Sequence, residues 1–266
     1  MLTLLSPAKS LDYESKLATR KHSEPRMLDQ SRELIEVLRG KSVADLAGLM
    51  HISDELAALN AQRYVDFETP FTTDNARPAV LAFDGDVYQG MAATEFGERD
   101  FTEAQKTIRI LSGLYGVLRP LDLMQPYRLE MGTKLATDRG TNLYQWWGNR
   151  VTEQLQADLA ESPGAPVLVN LASDEYFSVV DADAFDTVIA PRFEDTNARG
   201  KRSVVSFYAK RARGLMAAWL VRHRVRRAAD LTDFAENGYR YLAGESTPER
   251  PVFVRSFEDR PPVGGG

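Results

Sequence analysis

The feature that most constrains this chain is a set of short apolar runs held apart by long helical patterns. Leu2–Leu5, Ala79–Phe83, Pro166–Leu171, Thr187–Ala190, Ser203–Tyr208 and Pro251–Phe257 each read as a buried strand, being short, apolar and rich in β-branched residues. Helical periodicity falls between them, over about 26–39, 43–50, 53–66, 102–112, 149–161 and 209–227. Thr102 and Gln105 have capping-box spacing before the fourth of these. Such an order predicts an α/β or α+β fold, a mixed sheet with surrounding helices, spaced too irregularly for a regular doubly wound sheet. No repeat or low-complexity linker interrupts it. One domain over residues 1–258 is expected, with a helical lobe near 20–75 and a flexible tail over 259–266.

Cysteine is absent from the 266 residues, which removes disulfides, thiolate nucleophiles and thiolate-held metals together. A cysteine peroxidase or redox sensor is thereby excluded. His22, His51 and His223 lie far apart without metal-ligand spacing, so neither a metal site nor a cofactor is expected. No apolar run approaches the roughly 18 residues of a membrane span. The first residues lack the basic segment of a signal peptide, and a monomeric cytoplasmic protein is the expectation.

Charge is unevenly distributed. The chain carries −5 overall, yet Arg199–Arg227 holds ten Lys or Arg and no acid, leaving −15 on the remainder. A segregated field of that kind suits a polyanionic partner. On a helical wheel Tyr208, Ala212, Leu215, Met216, Trp219 and Leu220 form a core face. Lys210, Arg213, Gly214, Ala217 and Arg224 lie opposite, where small residues beside cations would admit a phosphate backbone.

Three further segments could carry chemistry. Phe83-Asp84-Gly85-Asp86-Val87-Tyr88 sets two carboxylates around a glycine at a strand end, as a cation site, an acid–base pair or a plain turn. Asn170–Phe177 follows a buried strand, where α/β proteins place sites, although Ser173 or Asp174 also suits a helix cap. Leu111–Pro120 places Gly113, Tyr115, Gly116 and Arg119 in a glycine hairpin, with Arg128 beyond it. Backbone amides and planar guanidinium groups there could hold phosphate, or the glycines could simply end a helix. The layout is similar to a helix–hairpin–helix, with two residues between the glycines instead of the usual one. Lys9, after the first strand in Ser6-Pro7-Ala8-Lys9, could neutralise a phosphate.

Taken in order, Ser6–Asp12, Phe83–Tyr88, Leu111–Gly132, Asn170–Phe177 and Ser206–Met216 resemble the YaaA family of bacterial peroxide-stress proteins. Ser10 stands where that family commonly has threonine, and Asp84 where it often has lysine. The resemblance implies a protein that limits oxidative damage and keeps intracellular iron low. It also implies a compact domain with a helix–hairpin–helix beside a positive cleft that binds DNA. By position and charge the hairpin would be Gly113–Arg119, and the cleft would recruit Lys9, Arg128, Lys210, Arg211 and Arg213. The leading expectation is sequence-independent binding of double-stranded or distorted DNA, with Tyr115 or Tyr127 stacking on an exposed base. The alternative is an enzyme acting on a nucleotide or another anionic small molecule, in a pocket built from Lys9, Asp84, Asp86, Asn170, Asp174, Glu175 and Tyr176. A third possibility, iron held by carboxylates, lacks histidine and cysteine ligands.

Overall fold

The computed structural model describes residues 1–260. The chain opens with β1 (Leu2–Leu5), buried at every residue, and a short β2 (Ser10–Leu11). Helices α1 (Leu28–Arg39), α2 (Val43–Met50) and α3 (Asp54–Asp66) follow. Next come β3 (Arg77–Pro78), α4 (Ala79–Ala82), β4 (Phe83–Asp84), α5 (Asp86–Met91) and α6 (Glu98–Thr107). A hairpin of β5 (Ile108–Ser112) and β6 (Gly116–Leu118) leads to β7 (Leu123–Met124). Helices α7 (Leu143–Trp147) and α8 (Arg150–Glu161) precede β8 (Leu168–Asn170) and α9 (Asp174–Phe177). Then come β9 (Val188–Ile189), β10 (Arg192–Thr196), β11 (Arg202–Ser203) and the long α10 (Ser206–Arg222). The last strands are β12 (Arg240–Tyr241) and β13 (Val252–Arg255).

This is a compact mixed α/β fold with two main sheets. The larger runs β6-β5-β1-β8-β9, with β1 parallel to both β5 and β8. The chain builds outward from β1 to β5 and then crosses back to place β8 on the other flank, so the strand order reverses at β1/β8. In open α/β sheets ligands sit beyond the strands' carboxyl ends at such a reversal. The smaller sheet runs β11-β10-β13-β12.

Helix α10 bridges the two regions. Its far half packs on the smaller sheet through Trp219, which meets Phe234 at 5.7 Å between ring centroids, and Phe234 in turn meets Phe253 at 5.4 Å. Its near half crosses α5 at glycines. A Cβ added to Gly214 would overlap the Val87 carbonyl oxygen, and one added to Gly90 would overlap the Arg211 carbonyl oxygen. The two backbones touch without side chains between them, closer than the ~8–10 Å axial separation of ordinary helix pairs allows.

Three expected elements differ. Ala79–Phe83 is a helix followed by two strand residues, because a wholly buried apolar run has no periodicity to tell strand from helix. The helix expected over 102–112 occupies Glu98–Thr107, with the Gly97 N–H donating to the Asp100 carboxylate at 3.0 Å. Thr102 and Gln105 are not its cap; Thr102 donates back to the Glu98 carbonyl and Gln105 binds Ser23. From Ile108 the chain is extended because it pairs with β1, Thr3 opposite Ile108. Finally, Ser203–Tyr208 is strand only to Ser203, and the helix begins at Ser206. Of the expected tail, Asp259 accepts a bond from Ser256 and Arg260 donates to the Thr196 carbonyl; residues 261–266 lie outside the described part.

Below the larger sheet, buried Asp158 is gripped by Arg26 and by Arg109, whose Nε lies 2.5 Å from Oδ2. Burial alone pushes the Asp158 carboxyl up, but the hydrogen bonds and charges of Arg26 and Arg109 outweigh it and hold it below the ordinary carboxylate value. The folded pKa is therefore the lower one. The ion group's contribution is complete above about pH 4 and is lost as pH falls through the folded value.

Three outcomes follow. Gly214→Ala should cost about 3 kcal/mol or more in urea unfolding, since the helices must separate. Gly48→Ala, with nothing within 4 Å of the added Cβ, should instead stabilise α2 by roughly 0.5–1 kcal/mol. Asp158→Ala should cost about 3–5 kcal/mol by leaving Arg109 buried without its partner, and should flatten the loss of stability below pH 4.

Candidate functional site

Two loops leave the carboxyl ends of β1 and β8 side by side. They are sewn together where the strand order reverses: the Leu171 N–H donates to the Leu4 carbonyl at 3.0 Å, and the Ser173 N–H donates to Ser6 Oγ at 2.8 Å. The Ser6 hydroxyl in turn donates to Ser173 Oγ at 3.3 Å. Asn170 is spent inside its own loop, its side-chain oxygen accepting the Ala172 N–H. A third segment closes the ring. β4 pairs with β2, Asp84 opposite Ser10, and Gly85 leaves room for the Ala8 methyl. Tyr88, one turn into α5, donates its hydroxyl to the Ser6 carbonyl at 3.0 Å. Burial pushes the Tyr88 and Tyr176 phenols far up, so both stay protonated donors.

The result is a cavity of about 470 Å³. Its lining comes from four separated segments: Ser6–Ser10, Asp84–Gln89, Ser173 with Glu175 and Tyr176, and Lys210 with Arg213. The glycine crossing of α5 and α10 delivers the last pair.

Charges of both signs line it. Lys9 is neutralised by Glu130 at 3.0 Å, and Glu130 also holds Arg128 at 3.2 Å. Glu175 accepts the Gly132 N–H at 3.0 Å. Among the described residues, Lys210 and Arg213 have neither a carboxylate partner nor a side-chain hydrogen bond, and Asp86 is equally unpartnered; Asp84 has only the Gln89 amide at 3.5 Å. Arg213 is half-buried. Burial pulls its pKa down and the more distant Asp174 pulls it up.

The expected site residues therefore divide. Lys9, Lys210 and Arg213 meet in the cavity, with Arg128 behind Glu130. Arg211 is exposed on the outer side of α10, its guanidinium 5.5 Å from the Phe207 ring centroid. The glycine hairpin is corrected. Gly113, Tyr115 and Gly116 are buried in a strand–turn–strand, not between helices, and the left-handed Gly116 (φ 65) packs under Met27 and Trp147. Tyr115 and Tyr127 stack edge-on at 5.2 Å inside the core, so neither ring is open to a base. Arg119 donates to fully buried Asp122 at 2.9 Å and to the Glu24 carbonyl, well occupied away from the cavity.

The basic segment divides as well. Arg202, Arg222, Arg226 and Arg227 are tied to Glu194, Glu95, Glu103 and Asp230, respectively. Gly214 and Ala217, expected on an open face, are buried, and Gly214 lies against α5. A polyanion has no flat helical face to lie on there.

A helix–turn–helix does occur elsewhere. α2 and α3 are joined through His51, Ile52 and Ser53, with His51 left-handed (φ 52) and Ser53 capping α3. The end of α2 borders a second cavity of about 460 Å³, which shares Glu175 with the first. Sequence reading missed Glu130 as a counter-ion and Gly90 and Gly214 as the helix contact. Both glycines sit inside helices, where glycine costs stability and so signals a packing need.

Because Arg119 serves Asp122, Arg119→Glu should lower stability by about 2–4 kcal/mol through a buried unpaired carboxylate. At temperatures where that variant is folded, its ligand affinity should match the parent's.

Comparison with known proteins adds the family. A family model described as "Peroxide stress protein YaaA" matches residues 1–245. A UPF0246 protein of Cellvibrio japonicus (strain Ueda107) is 51% identical over 256 residues, covering 96% of this chain and 98% of the relative. Another, from Tolumonas auensis (strain DSM 9187 / NBRC 110442 / TA 4), is 55% identical over 256 residues with the same coverage. With its fold and its four converging segments described, the chain belongs to the peroxide stress protein YaaA family.

Proposed function

We propose that this peroxide-stress protein acts by binding a phosphate-bearing ligand in the cavity at the β1/β8 reversal, with Arg213 as the anchor and Lys210 beside it. One observation carries the reading: Arg213 is half-buried in the cavity wall without a carboxylate or hydrogen-bond partner among the described residues. A half-buried guanidinium without a counter-ion gains from an anion with matching planar geometry. Its position beyond the carboxyl ends of parallel strands suits a bound small molecule.

A second reading, sequence-independent binding of DNA, is favoured by Lys210 and Arg211. Both are exposed at the start of α10 without carboxylate partners among the described residues. A strand passing there would meet two or three cations, a far smaller footprint than the ten cations of Arg199–Arg227 suggested. Such a contact would give a log–log salt slope of only about −2 to −3.

Calorimetric titration with phosphate compounds tests the first reading. Arg213→Met should weaken binding about tenfold or more, the value of hydrogen bonds to a charged group, while unchanged affinity would end it. For the second, Lys210→Glu with Arg211→Glu should abolish binding of duplex and bubbled DNA across sequences. A parent slope near −8, or an unchanged slope in the double variant, would reject it. In a peroxide-sensitive host lacking the protein, Arg213→Met should fail to restore tolerance or to lower free iron.

A further inference from the structure

The cavity presents a chemical contradiction that narrows its ligand. Asp84 and Asp86 flank the turn into α5, and Lys210 and Arg213 project from α10 into the same space of about 470 Å³. Opposite charges so placed would ordinarily pair. No ion pair within 4.0 Å joins them among the described residues, although the same molecule pairs Lys9, Arg128, Arg202, Arg222 and Arg226 with acids. The backbone contact at Gly90 and Gly214 sets α5 directly against α10, which carries these charges to the same cavity.

A simple anion satisfies only the cationic half of this arrangement. Its attraction to Arg213 and Lys210 is opposed by the two aspartates, which have no compensating cation of their own. A ligand that satisfies both must carry an anionic group at one end and hydrogen-bond donors at the other. We infer that the ligand is a nucleoside monophosphate: its phosphate on Arg213 and Lys210, its sugar hydroxyls donating to Asp84 and Asp86. This inference rests on the anion-binding reading above. The volume falls within the range of small-molecule sites, and Tyr176 offers an aromatic wall beside the charged groups. Carboxylates that accept sugar hydroxyls while a cation holds phosphate are the usual division of labour in nucleotide sites. A zwitterionic amino acid also has both kinds of group, but it would fill only a fraction of the space.

Isothermal titration of the full chain with orthophosphate, adenosine, adenosine 5′-monophosphate and free glutamate tests the inference. The monophosphate should bind about tenfold or more tighter than orthophosphate, the difference made by hydrogen bonds to charged acceptors. Asp86→Ala should weaken the monophosphate about tenfold and strengthen orthophosphate about twofold by removing a nearby negative charge. Asp86→Asn serves the same test should the alanine variant not fold. Equal affinity for orthophosphate and monophosphate, or a ratio that Asp86→Ala does not move, would overturn the nucleotide assignment and leave the anion reading standing. Tighter binding of glutamate than of the monophosphate would also overturn it. Failure of every phosphate compound to bind would remove both readings.

Discussion

The contact between α5 and α10 at Gly90 and Gly214 governs the rest of the molecule's chemistry. Each glycine lets its helix rest directly on a carbonyl of the other. That contact brings a cationic helix, whose far end belongs to the smaller sheet, to the carboxyl edge of the larger one. The adjacent Tyr88 ties α5 to the loop after β1, and Ser6 ties that loop to the one after β8. Four segments distant in sequence are thus fixed in one ring. With any β-carbon at position 214, Lys210 and Arg213 would move away from Asp84 and Asp86, and the cavity would lose either its wall or its charge balance.

Charge is sorted by this architecture in a way that its linear distribution conceals. Ten cations without an acid between Arg199 and Arg227 look like one surface. Folding disperses them along a 17-residue helix and its flanks, and carboxylates from four other parts of the chain claim Arg202, Arg222, Arg226 and Arg227. Salt bridges at the surface contribute little stability, about 0–1 kcal/mol each. Their importance here is subtractive: they remove cations from the pool open to a partner. Lys210, Arg211 and Arg213 are the members near the cavity that lack acids among the described residues, and Arg213 alone of these three is half-buried.

Much of the site was legible in the sequence, and the physical reasons for the misses are specific. Polar residues after β1 and β8, Ser6–Lys9 and Ser173 with Glu175 and Tyr176, come to one cavity because buried parallel strands direct their following loops to one edge, while Asp84 and Asp86 reach it through β4, which pairs antiparallel with β2. The glycine hairpin was misread because glycines beside an arginine suit an exposed phosphate loop as well as a buried turn. What decides their role is non-local: β5 pairs with β1, and Trp147 donates its indole N–H to the Gly113 carbonyl at 3.0 Å from 34 residues away. Arg119 was misread for a local reason: Asp122, three residues on, takes its guanidinium. Ala79–Ala82 failed as a strand because it is buried on every side, which erases the periodicity on which such readings depend.

The central claim, that Arg213 and Lys210 wait without a counter-ion for a phosphate group, is most directly tested by a crystal structure grown with tungstate, whose anomalous signal locates an oxyanion without model bias. A peak within hydrogen-bonding reach of the Arg213 guanidinium, inside the ring formed by Ser6, Asp86, Ser173 and Lys210, is the expected result. A guanidinium folded onto the carboxylate of Asp84, Asp86 or Asp174, with the anion found elsewhere, would contradict it.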